Sequence, residues 1–84
     1  MAKLGNLMKE SKVSVPGSFG VGEIHYNYEK ERLTVQVLNH GTHQEYLVYT
    51  GVPVDVYESF LVAGSKGGFF NKEIRNKYYY EGKK

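Results

Sequence analysis

Leu33-Thr34-Val35-Gln36-Val37 alternates apolar with polar side chains, and the residue types suit a strand buried on one face. Working outward towards the N-terminus, Ile24, Tyr26 and Tyr28 keep the period of two, and Glu23, His25 and Asn27 take the other parity. Glu29-Lys30-Glu31-Arg32 between these runs is a link of hairpin length. Towards the C-terminus, Asn39-His40-Gly41-Thr42 is a turn cluster, followed by a third strand from Gln44 to Thr50. There Tyr46 and Val48 share one parity while Leu47 and Tyr49 share the other, so parity alone leaves the inward face open. Short links between successive strands predict an antiparallel meander over residues 20–29, 32–39 and 44–50.

Beyond the third strand the period lengthens. Gly51-Val52-Pro53 stops the sheet, and Pro53 suits the first helical position, where a missing N–H costs nothing. Val56, Tyr57, Phe60, Leu61 and Ala63 form an apolar stripe, predicting a helix over 53–63 that Gly64 caps. Phe70, Ile74 and Tyr78 share the apolar side of a second helix near 69–77. Ser65 offers an earlier start, against the weakening effect of Gly67-Gly68. Residues 1–17 read as a mobile arm with Val13–Val15 extended, 18–80 as one domain, and 81–84 as a fraying basic tail. The fold class is α+β: a three-stranded antiparallel meander followed by two helices packed on one face, β-β-β-α-α. Ile24, Tyr26, Leu33, Val35, Val37, Leu47, Tyr49, Phe60, Leu61, Phe70 and Ile74 are the expected core.

Composition narrows the function. The 84 residues are 40% hydrophobic with no cysteine, which excludes a disulfide framework and thiolate metal sites. No apolar run has the length of a transmembrane helix or signal peptide, so a soluble cytoplasmic module is expected. The net charge of +2 is unevenly spread: +2 over residues 1–12, −4 over 13–63 and +4 over 64–84. A phosphate-binding surface therefore belongs to the arm or the C-terminal third.

Reactive constellations are weak. His40 and His43, with Glu45 nearby, fall short of a three-ligand metal site and read as solvated loop histidines. His25 reads as an exposed strand residue. Ser65-Lys66 lacks the context of an activated nucleophile, and Ser65 is better explained by bonding a nearby N–H. Ser65-Lys66-Gly67-Gly68 lacks the spacing of a phosphate loop. No catalytic residue, metal or cofactor is assigned. The best signal mixes basic and aromatic side chains: Lys66, Lys72, Arg75, Lys77, Tyr79 and Tyr80.

Tyr28 with Leu33-Thr34-Val35, then Tyr49, Gly51-Val52-Pro53 and Val56-Tyr57, opens a longer pattern. It continues through Ala63, Ser65-Lys66-Gly67 and Phe69-Phe70-Asn71 to Ile74-Arg75 and Tyr78. In order and spacing this resembles the KTSC domain, a module named for the C-terminal extension of some lysyl-tRNA synthetases and found also in stand-alone bacterial and phage proteins. The family's tyrosine–any–tyrosine pair reads Leu47-Val48-Tyr49 here, which turns Leu47 and Tyr49 inward. The resemblance implies a non-enzymatic binding module, and its synthetase context points to RNA or single-stranded nucleic acid as partner. The alternative is a protein–protein adaptor using the sheet face with Tyr46 and Val48, or a sheet edge.

Overall fold

The computed structural model describes residues 9–15, 20–39 and 43–83. The three strands read from the alternating pattern are present as β2 (Val21–Asn27), β3 (Arg32–Asn39) and β4 (His43–Thr50). They form the centre of a five-stranded antiparallel sheet, not a three-stranded one. β1 (Glu10–Ser14) and β5 (Tyr79–Lys83) flank them, so the spatial order β1-β2-β3-β4-β5 follows the chain. Both edge strands fall where an arm and a tail were expected. Neither carries an alternating apolar pattern, because an edge strand needs only one or two inward side chains. In β1 the inward pair is Ser11 and Val13, in register with Tyr26 and Ile24. The turn at 40–42, with His40, lies outside the described residues, as do residues 1–8 of the arm.

The register runs Tyr26↔Leu33, Ile24↔Val35, Leu33↔Tyr49 and Val35↔Leu47, so these apolar side chains share one face. Val21 joins them although its parity is wrong for Ile24. The register slips between Val21 and Glu23, and the extra residue at Gly22 flips Val21 inward. A Cβ on Gly22 would meet the far end of the Gln36 side chain, which would have to move to admit it.

Helix α1 (Val54–Val62) follows Pro53, whose carbonyl accepts from Val56 and Tyr57 at 3.1 and 3.2 Å. Its end departs from expectation: Ala63, in extended conformation, terminates the helix, and Gly64 does not act as a left-handed cap. Helix α2 starts early, at Lys66, because Ser65 Oγ accepts from Gly68 N at 3.1 Å. After four residues (Lys66–Phe69) it runs on as a π-helical turn, Phe70–Ile74. Both helices cover one sheet face. Val52, Tyr57, Phe60, Phe70 and Ile74 meet Ile24, Tyr26, Leu33, Val35, Leu47 and Tyr49 in one core. Val37 and Leu61, expected in that core, pack against it half-buried. Tyr26 stacks on Tyr57 at 4.4 Å and donates its hydroxyl to the Val52 carbonyl, while Tyr57 donates to Ser11 Oγ at 2.7 Å, tying β1 to the helical layer. No helix among the described residues is long and apolar enough to cross a membrane.

Candidate nucleic-acid interface and the uncovered sheet face

The π turn decides where the C-terminal cations point. Residues five apart lie about 140° apart on an α-helix. Bonding of Arg75 N to Phe70 O at 2.9 Å instead brings residue 75 above residue 70. The Arg75 guanidinium lies over the Phe70 ring, 5.8 Å from its centroid, and donates to Asn71 Oδ1 at 3.0 Å. It makes no ion pair among the described residues. Lys72 is exposed and also has no ion pair among them. Phe70 packs edge-on against Tyr49, and Tyr80 leans on Tyr49 at 5.3 Å while staying 44% exposed. Burial pushes the Tyr49 phenol up, and the nearby Arg75 charge pulls against that shift.

The remaining expected residues are differently engaged. Lys66 Nζ donates to Ala63 O at 2.7 Å, closing the end of α1. Lys77 is paired with Glu73 at 2.9 Å, a hydrogen bond that raises its pKa. Tyr79 is 72% exposed but registers with Thr50, whereas Tyr80 registers with Tyr49, so adjacent tyrosines lie on opposite sheet faces. Lys83 sits on the Tyr49 side of β5 and pairs with Glu45 at 2.9 Å. The structure thus brings Arg75 and Tyr80 to the Phe70–Tyr49 contact, with Lys72 exposed on the same short helical segment, and leaves Lys66 and Tyr79 elsewhere. Sequence reasoning missed the aromatic seat beneath Arg75, because helical spacing of 3.6 separates the two residues.

The other sheet face carries no helix. Its side chains form three rows across the strands. The first is Ser14, Glu23, Gln36 and Tyr46; the second is Lys12, His25, Thr34, Val48 and Gly82; the third is Glu10, Asn27, Arg32, Thr50 and Tyr79. The first row is hydrogen-bonded along its length. Gln36 donates to the Tyr46 hydroxyl at 3.0 Å, which reaches Glu23 Oε1 at 3.4 Å, and His25 Nε2 lies 3.0 Å from the same oxygen. The His25 contact holds the Glu23 carboxyl below its ordinary range; burial and then the Glu23 charge push the Tyr46 phenol up. His25 is therefore half-buried and paired, not simply exposed. In the third row Asn27 donates to Glu10 at 3.1 Å, and Arg32 pairs with Glu81 at 3.1 Å. Between the rows lies a cavity of about 480 Å³ with Thr34 and Val48 in its lining. Val48, expected as part of an adaptor surface, is only 8% exposed.

A five-stranded antiparallel sheet under one helical layer, with the second helix opening on Ser65-Lys66-Gly67 and closing on Ile74-Arg75, defines a small α+β domain with a basic C-terminal edge. The chain belongs to the KTSC domain family, whose sequence profile matches residues 18–79. It is similar in structure to a KTSC domain protein from Yersinia pestis, with a TM-score of 0.74 and 27% identity over 87% of this chain and 96% of that one. No curated protein matches the chain.

Proposed function

We propose that the domain binds single-stranded nucleic acid, RNA in particular, on the surface formed by Lys72, Arg75 and Tyr80, with Lys77 and Lys83 at its margins. One observation carries this reading: the Arg75 guanidinium lies over the Phe70 ring with no carboxylate partner among the described residues. A guanidinium so placed keeps donors free for phosphate oxygens. Tyr80 beside it offers an exposed ring for a base, and stacking of this kind contributes about 1–3 kcal/mol per base. The reading is of binding and not of chemistry. The Ser65 and Ser11 hydroxyls are engaged with a backbone N–H and with Tyr57, not with a general base.

The test is an NMR titration of the labelled chain with a short single-stranded RNA at about 0.15 M salt, where distant charges are screened. Shifts are expected at Lys72, Arg75 and Tyr80, and Lys72→Glu with Arg75→Glu is expected to abolish them while the fold persists. Unchanged affinity in that double variant, or no shifts with wild type, would overturn the reading and favour a protein partner.

A further inference from the structure

The uncovered sheet face holds a second arrangement that nucleic-acid binding does not use. Its middle row passes between two ridges, Glu23–Tyr46–Gln36 on one side and Glu10–Asn27 with the Arg32–Glu81 ion pair on the other. The trough between them crosses the strands, with Thr34 and Val48 in its lining and Gly82 beside Val48 in register. Gly82 has a φ of 131°, open to glycine but strained for other residues, and adds no side chain to the floor.

Three polar groups in this trough have donors that no acceptor of the described residues takes up with hydrogen-bond geometry. Thr34 is 6% exposed, and its hydroxyl makes no hydrogen bond among the described residues. Arg32 Nε is buried and touches Glu81 Oε1 at 3.1 Å without the angular geometry of a hydrogen bond. The Lys12 ammonium, at the β1 end, forms no ion pair among the described residues. Of the three only Arg32 Nε is a buried atom; leaving a buried donor unmet costs about 1–3 kcal/mol, so an acceptor that meets it binds with that advantage. All three are donors, while Val48 beside them is apolar. Lys12 and Arg32 cancel Glu10 and Glu81 in charge, so the trough does not attract a polyanion. It suits one acceptor group on an apolar body.

We propose that this trough binds a small organic carboxylate, its oxygens accepting from Thr34, Lys12 and Arg32 and its aliphatic portion lying on Val48. The cavity, about 480 Å³, falls within the usual size for small-molecule sites. Arg32 exchanges an ill-aligned contact with Glu81 for a directed one, and Thr34 gains its missing acceptor.

The labelled full chain is titrated with sodium hexanoate and, separately, with hexanamide, which keeps the shape and removes the charge. Hexanoate is expected to give saturable shifts at Lys12, His25, Thr34, Val48 and Gly82, with hexanamide about tenfold weaker or more. Thr34→Val preserves shape, and Lys12→Met lies on an exposed edge, so one or both will report on a folded protein. Each is expected to weaken hexanoate by a factor of about five to ten while the thermal transition stays in place. Equal shifts from hexanamide, unsaturable shifts spread over the surface, or unaltered hexanoate binding in both variants would overturn the proposal. Because Lys72, Arg75 and Tyr80 lie outside the trough, loss of RNA binding has no bearing on these outcomes.

Discussion

Val35 and Thr34 are neighbours on β3 and both are more than nine-tenths buried, yet they are buried by different means. Val35 lies on the face that α1 and the π turn cover, within a continuous apolar core. Thr34 faces the side without helices, and the longer side chains of the flanking rows shut it off. Burial by a covering layer is hydrophobic and cooperative; burial by ridges of paired polar side chains leaves a trough whose floor remains reachable. The first kind holds the fold together, and the second leaves room for a ligand.

The sharpest way to break this comparison is to empty the covered side. Phe60 is fully buried and stacks on Phe69 at 5.3 Å. Phe60→Ala is expected to cost about 3–5 kcal/mol, enough to remove most of a small domain's stability in a urea melt. A melt within a few degrees of wild type would show that the covered side does not carry the fold.

Tyr26 sharpens the contrast by placing a polar group within the covered side. Tyr26→Phe leaves the Val52 carbonyl unmet and is expected to cost about 1–2 kcal/mol by denaturant titration. Burial pushes the Tyr26 phenol up to about 12. A phenol kept neutral in the fold but ionising near its ordinary value when unfolded makes the unfolded state lose protons first. Its contribution is fully present below about pH 10 and is lost as pH rises towards 12. Alkaline melts should therefore show stability falling across that window, with a shallower fall for Tyr26→Phe. On the uncovered side, Tyr46→Phe breaks the ridge bonds to Gln36 and Glu23 near solvent and is expected to change stability by about 0.5 kcal/mol or less. A larger loss would mean that the ridges support the fold as much as the helices do.

The same contrast explains what could be read from the chain. The central strands and their inward residues were legible because covering a sheet demands alternation, as in Leu33, Val35, Ile24 and Tyr26. β1 escaped notice because Ser11, a polar residue, takes an inward place by bonding Tyr57. β5 escaped because only Tyr80 packs inward before the bulge at Glu81. At the basic edge the cations were legible by composition. Their arrangement depends on a π turn, and no residue pattern in Phe70–Ile74 distinguishes that turn from an α-helical one. The ridges and trough were hidden for a further reason: cross-strand neighbours such as Lys12, His25 and Thr34 are distant in sequence and meet only through register.

Because sheet order follows chain order, assembly of this domain is mostly local. The link between β2 and β3 is residues 28–31, whereas that between β4 and β5 is residues 51–78 and contains both helices. For an unfolded chain, closing the longer link costs roughly 1.7 kcal/mol more in entropy. The hairpins β2–β3–β4 therefore zip first, the helices condense onto them, and β5 docks last. The same step run backwards is the least costly opening, so amide protons of β5 should exchange with solvent well before those of β3. Tyr80 and Glu81 belong to that late-docking strand, so a strand that breathes on its own would loosen the basic edge and one ridge of the trough in a single motion.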